Sequence, residues 1–548
     1  MSFPIPLSAT SLSSSYVDSF QASFHPLLSS NSTPSQCQAD FVNEHLGELT
    51  RQVKSYKTLI KALDAQRRIC LSILSPLRRI PLEILGEIFK LVVPFYLHAL
   101  DRVMLGNLGR VCRRWRDALL NTPSVWRGLV MGPCTCGARS SYEAARVHDE
   151  DYAKISTWYK RAGGSPKALI YSASSPRCDC VRGGSCQAVH PLVTRLLKEG
   201  PALDHITLQV SSTACFRKWV AAVGGFSSGT GAGLTQHFLR SFSLEFVDDV
   251  HHPWDDELES NDSVFNLLPT VPTLGIHLPS CGDAFDAVED AASWPIRIPA
   301  PVLGQLTTLG LRWDWGGVGL LGVLAQCPAL EGLTIDLSFS EPYAGQASTS
   351  PLALPRLKTF RLRMGGLCVL ERLLMPSLTS LDLELNIDRH ETLEVSERLK
   401  RFLVASDLLG SLQYLRICEL VGAPGAVEIA LPTLSALEHL VLDSSTACGY
   451  HLGEPGSLRR GPDQGAHNLP ALRHLELLNL KRSRHTMLSE ALYLKRGGLL
   501  GRCLITVSYA KEVQASEADL RTRLRAVRGN LLSVQVVPSV DYEGDRRQ

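Results

Sequence analysis

Apolar residues recur every three or four positions between residues 40 and 70. They occupy positions 46, 49, 53, 56, 60 and 63, with Lys, Arg, Glu and Gln around them. This a/d spacing over about three heptads predicts an amphipathic helix, which we assign to residues 39–74. Two interpretations remain open: a single helix packed on its own protein, or a coiled-coil helix that dimerises or binds a helical partner.

A second, shorter apolar helix is predicted within LSPLRRIPLEILGEIFKLVV, residues 74–93. Pro76 ends the preceding helix, and Pro81 suits a first helical turn because its missing N–H is no loss there. The apolar positions then share one helical face. They are Ile84, Leu85, Ile88, Phe89 and Val92.

The segment LGNLGRVCRRWRDALLNTPSVWRGL predicts one further helix, which Pro123 ends. Its apolar face would carry Leu108, Val111, Cys112, Trp115 and Leu119, opposite a face rich in arginine. Two short helices of this kind carry more apolar surface than the pair can bury. Either they pack on the rest of the chain or part of their surface is an interface.

Together these segments resemble the F-box, the helical module of substrate receptors in SCF-type ubiquitin ligases. The matching residues are Ile80-Pro81, Glu83-Ile84-Leu85, Ile88-Phe89, Val111-Cys112, Trp115 and Trp126. The preceding heptad helix, joined through SPLRRIP, is similar to that of F-box proteins from mushroom-forming fungi. The linking segment PFYLHALDRVMLGN is longer and more apolar than a typical F-box turn. We assign the module to residues 75–128.

The resemblance implies an Skp-family adaptor as partner and, through it, cullin and RING subunits. It also implies which residues face the adaptor or support that face. They are Ile80, Pro81, Ile84, Leu85, Ile88, Val111, Cys112 and Trp115.

A repeated unit, small-Leu-x-x-Leu-x-Leu, fills the second half of the chain. Its alternating end predicts a short strand, and helix-like segments such as GLLGVLAQC and VSERLKRFLVASD lie between units. The first leucines at 306, 330, 357 and 378 are 24, 27 and 21 residues apart. This spacing is typical of leucine-rich repeats, so residues 151–535 are predicted to form an irregular horseshoe solenoid. The units lie at 201–208, 238–244, 305–311, 328–335, 355–362, 376–383, 410–417, 432–442 and 470–477, with a last strand at 503–509.

The fold class is therefore α/β, a helical F-box module followed by this solenoid. Outward-pointing strand residues of a solenoid line a concave face that suits extended protein partners. A solvated polar face is the alternative interpretation of each position. The candidate substrate-binding residues are Arg361, Arg363, Asp382, Glu384, Arg416, His439 and Arg473.

Composition narrows these interpretations. The net charge of +2 over 548 residues gives no electrostatic reason to expect a nucleic-acid or anionic-membrane binder. No apolar run suits a membrane span, and the N-terminus lacks the basic start of a signal peptide. We therefore expect the 15 cysteines to be reduced and the protein to be cytoplasmic, nuclear or both. Ser-rich residues 1–38 and the tail 536–548 are expected to be disordered, and residues 129–150 to form a Cys-containing linker.

Three segments offer weak signals of other chemistry. GGFSSG at 224–229 has the G-x-S-x-G spacing of a hydrolase, but it sits in a Gly/Ser-rich loop. Five cysteines could bind a structural zinc ion or could be surface thiols. They are Cys134, Cys136, Cys178, Cys180 and Cys186, which lies near His190. The His/acidic stretch 248–259 is more typical of a solvated loop than of a metal site. We expect neither an enzyme nor a cofactor. The predicted function is a substrate receptor of an SCF-type ligase, and the alternative is a leucine-rich-repeat scaffold without a ligase role.

Overall fold

The structure is a computed structural model. It describes residues 32–132, 141–173, 186–225, 239–247, 263–280, 296–313, 317–337, 350–386, 395–421, 427–444, 448–451, 469–480, 503–509 and 534–537, together with 22, 25, 27–30, 254 and 315. The chain divides into two compact units, residues 1–85 and residues 86–548.

The first unit is dominated by one long helix, α1, over Gln36–Leu74. It begins before residue 39 because Ser35 and Gln38 form a capping box that satisfies backbone donors of the first turn. The helix ends before Pro76, as predicted, and a 3-10 turn over Pro76–Arg79 follows. None of the residues in helix α1 is buried.

Three short helices follow: α2 over Leu82–Val92, α3 over Ala99–Val111 and α4 over Arg113–Leu120. The division between the two units falls inside helix α2. The prediction of one continuous helix through Cys112 was wrong. Cys112 is extended, with φ −162° and ψ 169°, so it ends helix α3 and precedes helix α4. Its carbonyl accepts the first helical hydrogen bond of α4, from the amide of Arg116 at 3.1 Å.

Beyond these helices, the described residues of the second unit form a parallel sheet of 14 strands. Neighbours in the sheet follow one another along the chain, apart from two small parallel pairs, β8 (Leu352–Ala353) with β10 (Leu373–Leu374) and β13 (Val427–Ala430) with β15 (Cys448–His451). The strands of the main sheet are β1 Gly128–Met131, β2 Ala168–Ser172, β3 His205–Val210, β4 Ser241–Phe246, β5 Thr273–His277, β6 Thr308–Arg312, β7 Gly332–Asp336, β9 Thr359–Gly365, β11 Ser380–Asn386, β12 Tyr414–Val421, β14 His439–Ser444, β16 His474–Leu480, β17 Leu504–Tyr509 and β18 Val534–Val537.

The alternating leucines of the repeated unit pair in register across this sheet. Leu381 lies between Phe360 and Leu415, and Leu383 between Leu362 and Ile417. All six of these side chains are at most 1% exposed, so this face of the sheet forms the core. Helices lie between the strands along the chain: α5 Ser141–Arg161, α6 Pro191–Glu199, α7 Thr213–Val223, α8 Ala300–Leu303, α9 Gly317–Leu324 and α10 Val395–Ala405.

The repeated units identified in the sequence do not include four of the described main-sheet strands, namely β1, β2, β5 and β18. At β5 the spacing of the repeated unit is kept, but Val271 and Ile276 stand where the unit has its first and last leucines, on either side of Leu274. These three side chains are at most 2% exposed, so the aliphatic replacements occupy the core as leucines do elsewhere.

The predicted linker of residues 129–150 is divided differently in the structure. Residues 129–131 belong to strand β1, which pairs with strand β2, and residues 141–150 belong to helix α5. Among the described cysteines, Cys327 and Cys418 are buried as small apolar groups, whereas Cys112 is exposed. Burial raises the pKa of the Cys327 thiol to about 11. None of the described helices is long and apolar enough to cross a bilayer.

Candidate functional site

Helix α2 carries apolar side chains on two sides. Leu85, Phe89 and Val93 recur every four residues and are at most 6% exposed. Leu91 is 87% exposed, and Ile88 is 39% exposed. A surface helix of a monomeric domain needs only one apolar face to pack on its core. The second apolar face of helix α2 is therefore left exposed to solvent in the isolated chain.

Helix α3 adds further exposed aliphatic groups. Leu100 is 82% exposed and Val103 is 60% exposed, whereas Leu105 is buried. Asp101 accepts a hydrogen bond from the amide of His98 at 2.9 Å and so fixes the start of the helix. Arg102 donates to the carbonyl of Val130 at 3.0 Å, which ties helix α3 to strand β1.

Helix α4 and the 3-10 turn Pro123–Trp126 support helix α2. The indole of Trp115 meets the ring of Phe89 edge to face, with centroids 5.3 Å apart. The Nε1 of Trp126 donates to the carbonyl of Leu119 at 2.8 Å, and Thr122 donates to the carbonyl of Ala118 at 2.7 Å. These bonds satisfy carbonyls at the C-terminus of helix α4, so the turn is held against it.

The predicted adaptor residues fall into two groups. Pro81, Ile84, Ile88, Val111 and Cys112 are exposed and therefore available to a partner. Leu85 belongs to the core, Trp115 is half-buried against Phe89, and Ile80 is half-buried.

The predicted set of adaptor residues left out other exposed apolar residues in the same region. They are Leu91, Val92, Leu100, Val103 and Leu120. Helical periodicity could have found Leu91, which lies three residues after Ile88. Leu100 and Val103 were missed because their segment was treated as a link between two helices rather than as a helix.

The outward face of the sheet places five of the predicted substrate-binding residues close together. Arg416 is 2% exposed and lies 2.8 Å from Asp382 and 3.1 Å from Asp443. Arg361 approaches Asp382 at 3.1 Å. Burial alone would lower the pKa of Arg416, but the two carboxylates outweigh it and raise that pKa. Arg416 is thus permanently charged and held by strands on both sides.

This pairing changes the interpretation of the sheet face. Arg416 and Glu384, predicted as substrate contacts, are buried, with 2% and 5% exposed surface. Their burial keeps both side chains from a partner in this conformation, and Arg416 instead pairs with carboxylates of the two neighbouring strands. Arg363 is half-buried, and burial lowers its pKa.

The remaining two candidates are more accessible. The Nε2 of His439 lies 2.8 Å from a carboxylate oxygen of Glu476, and this hydrogen bond lowers the pKa of Glu476. Arg473 is 74% exposed and lies 3.7 Å from Glu438. These side chains form a mixed-charge surface on strands β14 and β16 and the turns before them.

The described residues give little support to other chemistry. They hold no group of three or more His, Cys, Asp or Glu residues arranged for a metal ion. Cys134, Cys136, Cys178, Cys180 and Ser227 lie outside the described residues, as does the stretch 248–259 except for Trp254. Cys186 is half-buried.

His190 has a structural role in the described part of the chain. Its Nδ1 accepts the amide of Leu192 at 3.1 Å and so caps helix α6. Burial, with His148 nearby, lowers the pKa of His190 to about 4. The ring is therefore neutral at pH 7, as this cap requires.

Comparison with known families agrees with the helical part of this picture. No curated protein matches the chain. A family model described as F-box-like matches residues 77–131, from the 3-10 turn before helix α2 to the last residue of strand β1. F-box domains generally bind Skp-type adaptors. Residues 77–131 are thus an F-box-like domain, followed by an α/β region with a large parallel sheet.

Proposed function

We propose that this protein is a substrate-receptor subunit of an SCF-type E3 ubiquitin ligase. The observation that carries the proposal is the second apolar face of helix α2, exposed inside an F-box-like domain. Covering such groups with an adaptor of the Skp family would contribute about 25 cal/mol per Å² of apolar surface buried. Cullin and RING subunits would then join through the adaptor.

The parallel sheet would hold the substrate. Its strand-and-helix units fit an irregular leucine-rich-repeat solenoid, whose outward strand face is available to an extended protein. The accessible mixed-charge positions are His439, Glu476 and Arg473. They suit a partner that presents both signs of charge, since this surface carries both carboxylates and a guanidinium.

The protein itself would carry out no bond chemistry and need no cofactor. Its contribution would be proximity, since a substrate tethered beside a ubiquitin-charged enzyme experiences a high effective concentration of that enzyme. The expected location is the cytoplasm, the nucleus or both.

Co-purification of the full chain with a recombinant Skp-family adaptor tests the first half of the proposal. The native chain is expected to capture the adaptor, and Ile84→Asp combined with Ile88→Asp to release it. Val404→Asp is the matched control, because Val404 is also an exposed aliphatic residue on a helix but lies in α10, outside the F-box-like domain. Capture by neither the native chain nor the control, with both folded, would reject the ligase role.

Adaptor capture alone does not separate a receptor from a non-catalytic interaction scaffold. The second experiment therefore follows proteins that co-purify with the chain, in cells with the native chain and with the double Asp variant. For a receptor, the ubiquitinated fraction of at least one such partner falls in the variant and its half-life rises. Partners that still bind, with unchanged ubiquitination and turnover, would favour the scaffold.

A further inference from the structure

Helix α1 carries a longer apolar seam than the sequence pattern indicated. The 39-residue helix is about 58 Å long at 1.5 Å per residue. Its a and d positions continue at spacings of three and four from end to end, which amounts to about five heptads. These seam positions, apolar apart from Arg67, are Ala39, Val42, Leu46, Leu49, Val53, Tyr56, Ile60, Leu63, Arg67, Cys70 and Leu74.

The seam is uncovered. Leu46, Ile60 and Leu63 are 60%, 57% and 55% exposed, and no residue of the helix is buried. Leu59 and Leu71, at positions that flank the seam, are 54% and 59% exposed and widen the apolar stripe. An isolated helix with such a stripe is stable only when the stripe is covered.

Charge is distributed very unevenly along the helix. Up to Glu48 the charged residues are all acidic, namely Asp40, Glu44 and Glu48. Beyond Glu48 they are basic except for Asp64, and they comprise Arg51, Lys54, Lys57, Lys61, Arg67 and Arg68. The helix macrodipole favours this order only within the first and last turns, so it does not account for Glu48 or for the lysines in the middle.

We propose that helix α1 pairs with helix α1 of a second copy as an antiparallel coiled coil. Two parallel copies would place the basic segments side by side over most of their length, which is unfavourable. Antiparallel copies place the acidic end of each helix beside the basic end of the other. The helix is thus complementary in charge to itself, which identifies a second copy of this chain as the occupant.

The apolar seam fits this orientation. With Val53 opposite Tyr56 of the second copy, Leu49 lies opposite Ile60 and Leu46 opposite Leu63. At the ends, the small side chains of Ala39 and Cys70 face each other across the seam. This register overlaps the two helices over nearly their full length and has the twofold symmetry of a closed dimer.

The mass of the full chain in solution is the primary test, by sedimentation or light scattering. We expect twice the 60.0 kDa of one chain. Leu49→Asp with Ile60→Asp should give single chains, whereas Ser55→Asp with Thr58→Asp, on the opposite side of the helix, should leave the dimer intact. A native chain of 60.0 kDa would overturn the proposal, as would a dimer that survives the Leu49 and Ile60 changes.

A charge exchange tests the pairing without disturbing the seam. Lys61→Glu with Arg68→Glu, both outside the seam, should weaken the dimer about tenfold, because exposed charge pairs such as Lys61 opposite Glu48 of the second copy are lost or reversed. Adding Glu44→Lys and Glu48→Lys should restore the affinity in an antiparallel dimer. Failure of this rescue would overturn the charge argument.

Cysteine cross-linking reports the orientation directly. In an antiparallel dimer, Ala39→Cys should form a disulfide with Cys70 of the second copy on mild oxidation, identified by mass spectrometry of the linked peptides. A Cys70–Cys70 link in the native chain would show parallel helices and overturn the proposal. These outcomes are independent of adaptor capture, because no seam residue lies in residues 77–131.

Discussion

Arg416 and Asp443 lie on neighbouring strands and form an ion pair of 3.1 Å, with 2% and 4% of their side chains exposed. Asp443 also accepts a hydrogen bond from Asn479 at 2.9 Å, so the pair belongs to a network across strands β11, β12, β14 and β16. The cluster resembles a binding surface in the sequence, but in the structure it joins strands.

The first prediction follows from the burial of this cluster. Arg416→Met should lower the free energy of unfolding by about 3–5 kcal/mol, because Asp382 and Asp443 then lose their cation in a buried place. Urea unfolding of the full chain measures the loss. Arg473→Met, at a position 74% exposed, should change stability by less than about 1 kcal/mol. Equal effects of the two changes would contradict the structural role of Arg416.

The two sides of helix α2 should respond differently to truncation. Phe89→Ala should destabilise the protein by about 3–5 kcal/mol, since Phe89 is 2% exposed and packs on Trp115. Leu91→Ala should leave stability within about 0.5 kcal/mol but weaken adaptor capture. Thermal melts and adaptor pull-down on both variants check the contrast. A Leu91 variant with native capture would exclude that residue from the docking face.

Gly86 and Thr122 should be energetically coupled. A Cβ at residue 86 would lie 2.5 Å from Oγ1 of Thr122, which is fixed by its bond to Ala118. Gly86→Ala should therefore cost about 1–3 kcal/mol despite the better helix propensity of alanine. Combining it with Thr122→Ala should cost less than the two separate losses added together, because the clash is removed. Strict additivity in unfolding experiments would argue against this contact.

His190 should make stability depend on pH. Its pKa is about 4 in the folded protein, against 6.5 for the free side chain, so the unfolded chain binds a proton more readily between these values. The free energy of unfolding should consequently fall as pH decreases from 6.5 towards 4, by about 1–2 kcal/mol at pH 5. Among the described residues, the titratable rings of His148, with its centroid 5.2 Å away, and Tyr171, at 6.3 Å, face it.

His190→Asn separates this contribution from the general acid response. Asparagine is a good N-cap and does not titrate in this range, so helix α6 keeps its cap. The variant should lose the part of the pH dependence that lies between pH 4 and 6.5. If the free energy of unfolding falls equally with pH in the native and variant chains, His190 is not the cause of this pH dependence.

Much of the fold was predictable because the alternating apolar residues of each repeated unit predict a strand at that place. Leu381 and Leu383 alternate with polar residues, and both lie in the core. The helix break at Cys112 was not predictable, because the apolar spacing from Leu108 to Leu119 continues through it and no proline or glycine lies between Val111 and Leu119. The extended backbone of Cys112 in the structure is what separates helix α4 from helix α3.

The candidate site was predictable in kind but not residue by residue. Ile84 and Leu85 are adjacent aliphatic residues in the sequence, yet one is 51% exposed and the other 1%. Periodicity cannot separate two apolar faces that touch on one helix. On the sheet, the charge of Arg416 suggested contact with a binding protein. Its actual neighbour, Asp382, could not be predicted, because the register between strands β11 and β12 cannot be read from either segment alone.

Strand β1 closes the F-box-like match and also opens the main sheet. Arg102 from helix α3 is bonded to it, and strand β2 pairs with it along its full length. Successive strands are about 4.8 Å apart, so each later strand stands at a set number of such steps from the helices. A substrate bound near strand β14 would then hold its lysines at a different distance from these helices than a substrate bound near strand β4. In such a receptor, the choice of substrate would depend on the distance between its binding strand and the F-box-like helices as well as on its affinity.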